Sequence, residues 1–305
     1  MLAEILGLFM GENGMPENAT DRLTRRRFVR FSGAAGASVV LAAAGQDLAA
    51  ADGPTPPPPT VGGPDPAVCG STSSTDSLWV SMQRCHSTNS CLQNGDDYVV
   101  MPGNNNASGY TNYILVPTQR INGIECPWIC NSHAPNYWDA ANYFATRQPT
   151  VVRPPVGLGI NSQRARNFNQ LHIHMATARP VSRSDLESQQ GSAAHNVADW
   201  AHTRVSVRGF SEQLGILPHV YRVLIWPGFS HDNLFDMLRT MLVHAMGQGA
   251  TVADAQDQMR FQTLIVIPRT SGGYFIVNSE NQLRDPNNRQ LVGTDTCDPL
   301  LLLHP

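Results

Sequence analysis

The sequence contains no lysine, since all 21 of its Lys and Arg positions are arginine. This absence excludes mechanisms that need a lysine amine, such as a Schiff base or the lysine of a phosphate-binding loop. Charge is also scarce and balanced, because 15% of the residues are charged and the formal net charge is −3. Proteins that bind nucleic acid by neutralising phosphates usually carry a basic patch, so we expect no nucleic-acid partner.

Long hydrophobic runs are absent as well. No stretch of about 18 consecutive apolar residues occurs, which argues against a multi-pass membrane protein. Apolar residues nevertheless make up 41% of the 305 positions, enough for a buried core in one large or two small domains. The composition therefore predicts a folded protein and not a disordered one.

The first 51 residues have the composition of an export signal. Arginines at 25–27 precede a Gly- and Ala-rich apolar stretch at 31–44, and small residues follow up to Ala51. The paired arginines and the residues after them resemble a twin-arginine signal. We therefore expect residues 1–51 to direct export to the periplasmic or extracellular face. An uncleaved signal that anchors the chain and a basic amphipathic helix are the alternatives.

A spacer rich in proline and glycine follows at 52–67 and is expected to be extended and exposed. The folded domain is expected over residues 68–305. Its core is placed at about 78–180 and a C-terminal extension at 181–305.

All six cysteines follow the signal: Cys69, Cys85, Cys91, Cys126, Cys130 and Cys297. An even number in an exported chain predicts disulfides, and six cysteines allow fifteen pairings. Cys85 and Cys91 are close enough to close a small loop, as are Cys126 and Cys130. No C-x-x-C pair and no histidine pair has zinc-finger spacing, so we expect no metal site.

Strand and helix patterns alternate along the expected domain. Strand patterns are found at 97–101, 113–117, 157–161, 169–176, 261–268 and 274–278, and helical patterns at 77–84, 137–147 and 232–246. This order predicts an α+β fold with a mainly antiparallel sheet. No internal repeat is apparent.

The segment from Gln170 to Met175 carries the strongest chemical signal. Side chains on a strand alternate between faces, so Gln170, His172 and His174 share one face while the apolar residues between them point into the core. A row of imidazoles in this position indicates a metal, a phosphate or a carboxylate partner. Two surface histidines on an edge strand are the alternative.

A polar loop precedes this strand and contains Asn161, Ser162, Arg164 and Arg166. Its hydroxyl, amide and guanidinium groups suit a phosphodiester as ligand. No Asp, Glu or Cys occurs from 151 to 184, which argues against a metal centre. A solvated surface loop is the alternative interpretation.

Four segments in a fixed order resemble the bacterial CDP-diacylglycerol pyrophosphatase family, which belongs to the histidine-triad-like (HIT-like) superfamily. These segments are Tyr113–Glu125, Ala134–Asn136 with Ala140 and Ala141, Gly157–Ser162 and Asn169–His174. The resemblance covers roughly residues 78–180 and is weaker in the C-terminal part.

The resemblance implies a HIT-like antiparallel sheet with flanking helices and a C-terminal α/β extension. It also implies hydrolysis of CDP-diacylglycerol to CMP and phosphatidate, without a metal or cofactor. In the superfamily an imidazole nitrogen attacks the phosphorus nearest the nucleoside, and water then cleaves the nucleotidyl-histidine. The catalytic side chains would be His172 and His174. The residues placed on the substrate and its phosphates are Gln170, Asn161, Ser162, Arg164 and Arg166.

The superfamily pattern has three alternate histidines with the middle one as nucleophile, whereas this chain has two. If the row is 170, 172 and 174, Gln170 replaces the first histidine and His172 attacks. If the row is 172, 174 and 176, Ala176 replaces the last and His174 attacks. Polar residues on both sides favour His172, whereas the distance in sequence from Asn161 favours His174.

A lipid-linked nucleotide as substrate implies work at a membrane surface. HIT-like proteins are often dimers or contain two units in one chain, so a homo-oligomer is one option. A second, degenerate unit at 222–278 is not favoured, because it has no histidine row.

Two other functions stay open: a HIT-type hydrolase or nucleotidyl transferase acting on a soluble nucleotide, and an exported module that binds a ligand or metal without turnover.

Overall fold

The computed structural model describes residues 69–103, 111–288 and 290–303. The expected export signal at 1–51 and the spacer at 52–67 lie outside the described residues.

The described residues contain nine strands and six α-helices. The strands are β1 (Gln93–Asn94), β2 (Tyr98–Pro102), β3 (Tyr113–Pro117), β4 (Val156–Ile160), β5 (Ile173–Thr177), β6 (Val205–Ser211), β7 (Gly215–Trp226), β8 (Thr263–Pro268) and β9 (Tyr274–Ser279). The helices are α1 (Ser77–Ser87), α2 (Tyr137–Ala145), α3 (Pro180–Ser188), α4 (Val197–Trp200), α5 (Leu234–Met246) and α6 (Val252–Gln258). None of the described helices is long and apolar enough to cross a membrane.

All nine strands form one sheet in the order β1-β2-β3-β5-β4-β8-β9-β7-β6, and every pair of neighbours is antiparallel. The α+β class with a mainly antiparallel sheet is therefore confirmed. The expected extension is not a separate layer, because its strands β6 to β9 form the second half of the same sheet.

The two halves of the sheet have the same topology. In the first half the chain runs β2, β3, α2, β4, β5, and in the second half β6, β7, α5, β8, β9. The spatial order in each half is identical, and the halves meet where β4 pairs with β8, with Gly159 opposite Ile265. The structure thus contains an internal duplication, and the prediction of no repeat was wrong at the level of topology. The second unit starts at β6, upstream of the interval 222–278.

Three of the helices begin at a short polar residue whose side chain caps the first turn. Asp76 accepts a hydrogen bond from the backbone N–H of Trp79 at the start of α1, and Asn136 caps α2 in the same way. Asn233 accepts from two backbone N–H groups at the start of α5. Each such cap typically stabilises a helix by about 1 kcal/mol.

The two faces of the sheet are covered by different elements. Helices α2 and α5 pack on one face, where Trp138, Phe235 and Met175 are fully buried in the main core. On the opposite face, α1 covers the first half through Leu78, Trp79 and Met82. The C-terminal tail (residues 294–303) covers part of the second half on that same face. The two histidines lie on this second face, between α1 and the tail.

Two disulfides join Cys69 to Cys126 and Cys85 to Cys91, with Cα–Cα distances of 5.4 and 4.9 Å. The prediction of disulfides and of a small loop closed by Cys85 and Cys91 is confirmed. The suggested Cys126–Cys130 loop is wrong, because Cys126 pairs with Cys69 on the segment before α1. Cys130 and Cys297 are buried free thiols.

Candidate active site

His172 and His174 lie side by side at the start of β5. Their ring centroids are 4.9 Å apart and the rings are nearly perpendicular. Ile173 and Met175 point to the opposite face, where both are fully buried. The alternation predicted from the sequence therefore holds here, and it brings two imidazoles to one face of the sheet.

His172 is buried and has a fixed orientation. Its Nδ1 atom lies 2.8 Å from the backbone carbonyl oxygen of Gln170. A carbonyl oxygen can only accept, so this bond assigns the proton to Nδ1 and leaves the lone pair on Nε2. The edge of the Phe168 ring approaches the imidazole, with centroids 6.3 Å apart.

Burial lowers the pKa of His172, because the charged ring would lose its hydration. The positive charge of Arg166 acts in the same direction. The carbonyl of Gln170 and the carboxylates of Asp76 and Asp298 act against it. At neutral pH the imidazole is therefore uncharged, which is the state in which Nε2 can act as a nucleophile.

His174 is half-buried and lies between the two neighbouring strands. It is opposite Ile114 on β3 and opposite Gly159 on β4. A Cβ atom at Gly159 would lie only 2.6 Å from the Cβ of Cys297, so the absence of a side chain lets the tail pass directly over β4. The tail is thus held beside the histidine pair.

The Gln170 side chain is hydrogen-bonded within the protein. Its Oε1 accepts from Nη1 of Arg120 at 2.8 Å, and its Nε2 donates to the carbonyls of Pro117 and Gln119 at 3.0 and 2.8 Å. The amide is used inside the protein, where it fixes the carbonyl that binds His172.

Arg166 is buried and forms a two-point ion pair with Glu125, through both terminal nitrogens. It also donates to the side-chain oxygen of Asn169 at 3.1 Å. The guanidinium is therefore a fixed positive charge near His172, held by protein groups and not exposed to solvent.

Asn161 and Ser162 are buried and hold the tail. The side-chain oxygen of Asn161 accepts from the backbone N–H of Cys297 at 2.7 Å and from the hydroxyl of Thr296 at 3.0 Å. The backbone N–H of Ser162 donates to the carbonyl of Asp295 at 3.0 Å. Both residues lie in the predicted loop, and these contacts fix the tail against the end of β4.

A comparison with known protein families identifies the family of this chain. The family model for CDP-diacylglycerol pyrophosphatase matches residues 73–292. This interval is well over half of the chain and includes both halves of the sheet. The chain belongs to the CDP-diacylglycerol pyrophosphatase family. It is a hydrolase of CDP-diacylglycerol, and the resemblance found in the sequence is confirmed.

Among the predicted site residues of this hydrolase, Arg164 is the most exposed to solvent. Its side chain is 76% exposed, and its Nε lies 4.0 Å from Oδ2 of Asp295. An exposed pair at this distance is worth at most about 1 kcal/mol. The guanidinium can therefore exchange this partner for a phosphate group without a large cost.

Two carboxylates near His172 were missed from the sequence. Asp298 lies on the tail, outside the interval matched by the family. Asp76 caps α1 and also accepts from the backbone N–H of Asn169 at 2.7 Å, which ties α1 to the segment before His172. Nothing in the sequence placed either carboxylate near the histidines.

Neither free cysteine is suited to nucleophilic chemistry. Burial raises the pKa of Cys130 to about 12, and burial raises the pKa of Cys297 well above its ordinary range. Both are therefore protonated thiols at neutral pH, and a thiol is a poor nucleophile. The imidazole of His172 is the better candidate in this site.

Proposed function

We propose that the chain hydrolyses CDP-diacylglycerol through a covalent nucleotidyl-histidine intermediate on His172. In the first step Nε2 attacks the phosphorus nearest the cytidine and forms a P–N bond. The bridging P–O bond breaks, and phosphatidate leaves with the electron pair. In the second step water attacks the same phosphorus and gives up a proton to the solvent. The P–N bond breaks, its electron pair returns to Nε2, and CMP and the neutral imidazole are released.

The observation that carries this proposal is the hydrogen bond between Nδ1 of His172 and the carbonyl of Gln170. It supports a tautomer with the lone pair on Nε2, and the lowered pKa supports an uncharged ring before attack. When the P–N bond forms, the ring gains positive charge, which the carbonyl and the nearby Asp76 and Asp298 stabilise.

The neighbouring groups have separate proposed roles. His174, next to the nucleophile, donates to a phosphate oxygen as negative charge develops there. The exposed guanidinium of Arg164 binds the diphosphate at the rim, and the buried Arg166 adds a fixed positive charge. Asn161, Ser162 and Gln170 support the site through the backbone and the tail.

Intact-mass measurement of enzyme quenched during turnover tests the mechanism. We expect an added cytidylyl group on the unmodified enzyme and none on His172→Ala, which should lose at least about 10⁴-fold in kcat. His174→Ala should still form the adduct but turn over about 10²–10³-fold more slowly. His195→Ala, at an exposed histidine, is the matched control. An adduct that persists in His172→Ala and disappears in His174→Ala would reverse the two roles.

We also propose that the enzyme is exported and works at a membrane surface. The two disulfides support an oxidising compartment, and the lipid substrate supports contact with a membrane. A fusion of residues 1–51 to a reporter that folds only after twin-arginine export tests the first part. Export should fail when Arg25, Arg26 and Arg27 are replaced by glutamine, and export that continues would contradict it.

A further inference from the structure

We propose that the tip of the β6–β7 hairpin inserts into the lipid surface that carries the substrate. The tip consists of residues 210–217, and the proposal rests on the proposed work at a membrane surface. No part of it depends on which histidine attacks.

The hairpin tip exposes more apolar surface than its surroundings. Leu214 and Ile216 are 70% and 57% exposed, the highest values among the large hydrophobic side chains of the described residues. Phe210 and Leu217 beside them are half-buried. Aliphatic side chains held in water at the end of a hairpin are expected to have a partner, and exposed apolar patches commonly mark binding surfaces.

The protein holds this tip in a fixed position. The strands pair up to Ser211 and Gly215, and Gly215 has a φ of 75°, which suits the turn. Asp185 on α3 accepts from the backbone N–H and from the guanidinium of Arg208, and the Arg179 guanidinium lies 4.5 Å above the Phe210 ring. Contacts with α3 therefore fix the position of the hairpin.

The hairpin tip extends past the same end of the sheet towards which His172 lies. The register from β5 through β4, β8 and β9 to β7 places Val223 level with His174, and the direction from Val223 to the tip is the direction from His174 to His172. Gly209 packs against Pro299 so closely that a Cβ atom there would lie 2.4 Å from the Cβ of Pro299. Pro299 follows Asp298, whose charge acts on His172. The tip continues beyond Gly209 by about 10 Å, at the usual rise per residue of a strand. The tail thus connects the site to the apolar tip.

The chemistry of the substrate identifies the partner as a bilayer. The cytidine diphosphate group must reach His172 while two acyl chains stay in the membrane. Insertion of an apolar tip at the His172 end of the sheet turns that end towards the lipid. The nearby charges do not form a basic patch, since Arg208 is paired with Asp185 and Glu212 lies in the turn. Binding should therefore depend only weakly on salt.

The full chain with Leu214→Glu and Ile216→Glu tests this proposal. We expect at least about tenfold weaker binding to vesicles that contain CDP-diacylglycerol, and a similar loss of hydrolysis in those vesicles. Hydrolysis of a short-chain CDP-diacylglycerol dissolved as monomers should be unchanged. Val252→Glu, at a side chain that is 56% exposed on α6, is the matched control and should behave as the unmodified enzyme.

Two outcomes would overturn the proposal: unchanged vesicle binding by the double variant, or an equal loss on the soluble substrate. His172→Ala should lose hydrolysis of both substrates while still binding vesicles. If His172→Ala stayed active, the proposed mechanism would be wrong. Vesicle binding by the hairpin variant would still test the hairpin proposal.

Discussion

The Nδ1 atom of His172 and the backbone carbonyl oxygen of Gln170 lie 2.8 Å apart, and this contact sets the chemistry of the ring. The carbonyl cannot move freely, because the Gln170 side chain is fixed by Arg120 and by two backbone carbonyls, one at the last residue of β3 and one just after it. The orientation of the proposed nucleophile is thus controlled from outside its own strand, through one buried amide.

Activity should fall on the acid side as His172 becomes protonated. Burial lowers the pKa of His172 below its ordinary value of 6.5, so a protonated ring becomes abundant only below that pH. We expect kcat/KM for the short-chain substrate to be constant above pH ~6.5 and to fall below it. A pH-rate profile measures this. An acid limb with a midpoint above 6.5 would contradict the burial argument.

The same shift affects stability. The folded protein binds a proton at His172 more weakly than the unfolded chain does, so protonation favours unfolding. The neutral ring therefore makes its full contribution to the free energy of unfolding above pH ~6.5, and this contribution is lost as the pH falls. Thermal unfolding of the unmodified enzyme and of His172→Gln, followed from pH 7 to pH 5, should show a smaller decline for the variant.

Removal of the Gln170 amide should lower both stability and turnover. Gln170→Leu keeps the volume but removes the acceptor that Nη1 of the buried Arg120 reaches at 2.8 Å, at a cost of about 1–3 kcal/mol. The released carbonyl should also let His172 rotate, so kcat should fall more than KM rises. Urea unfolding and steady-state kinetics measure the two effects. Gln163→Leu, at an exposed position of the same loop, should change neither.

Much of the fold could be predicted from the sequence because local patterns determined it. The strand patterns at 97–101, 113–117, 261–268 and 274–278 correspond to β2, β3, β8 and β9, and the helical pattern at 137–147 corresponds to α2. The internal duplication could not be predicted, since the two halves share strand order without sharing a residue pattern. Strand order depends on which edges meet in space, here β4 and β8, and no local pattern encodes that choice.

The site was predicted in part for the same reason. Strand alternation placed His172 and His174 together, whereas Gln170, Asn161 and Arg166 proved to be engaged with protein groups. Their partners are far away in sequence, so residue type alone could not distinguish a free donor from a satisfied one. The tail was missed because its contacts at the end of β4 join residues far apart in sequence, such as Asn161 and Cys297.

The two disulfides should differ in their effect on stability. The Cys69–Cys126 bond spans 57 residues and the Cys85–Cys91 bond spans 6. Loop-closure entropy predicts losses of about 4 and about 2 kcal/mol when each pair is replaced by alanine. Urea unfolding of the two double variants measures the difference. Cys130→Ala, at a buried free thiol, provides a control without a crosslink. Equal losses for both pairs would show that strain or packing outweighs chain entropy.

The tail should be displaced by a single methyl group at Gly159. A Cβ atom there would lie 2.6 Å from the Cβ and 2.9 Å from the Sγ of Cys297, so Gly159→Ala must push the tail away from β4. Because Asn161 and Asp298 depend on the tail position, we expect kcat to fall by about tenfold or more with the histidines intact. Gly191→Ala, where a Cβ would meet nothing within 4 Å, is the matched control. Cys297→Gly removes two of the three atoms that lie within 3 Å and leaves Cδ1 of Leu301 at 2.8 Å, so the double variant with Gly159→Ala should recover part of the lost activity. A Gly159→Ala enzyme with normal kcat would show that the tail does not support the histidine site.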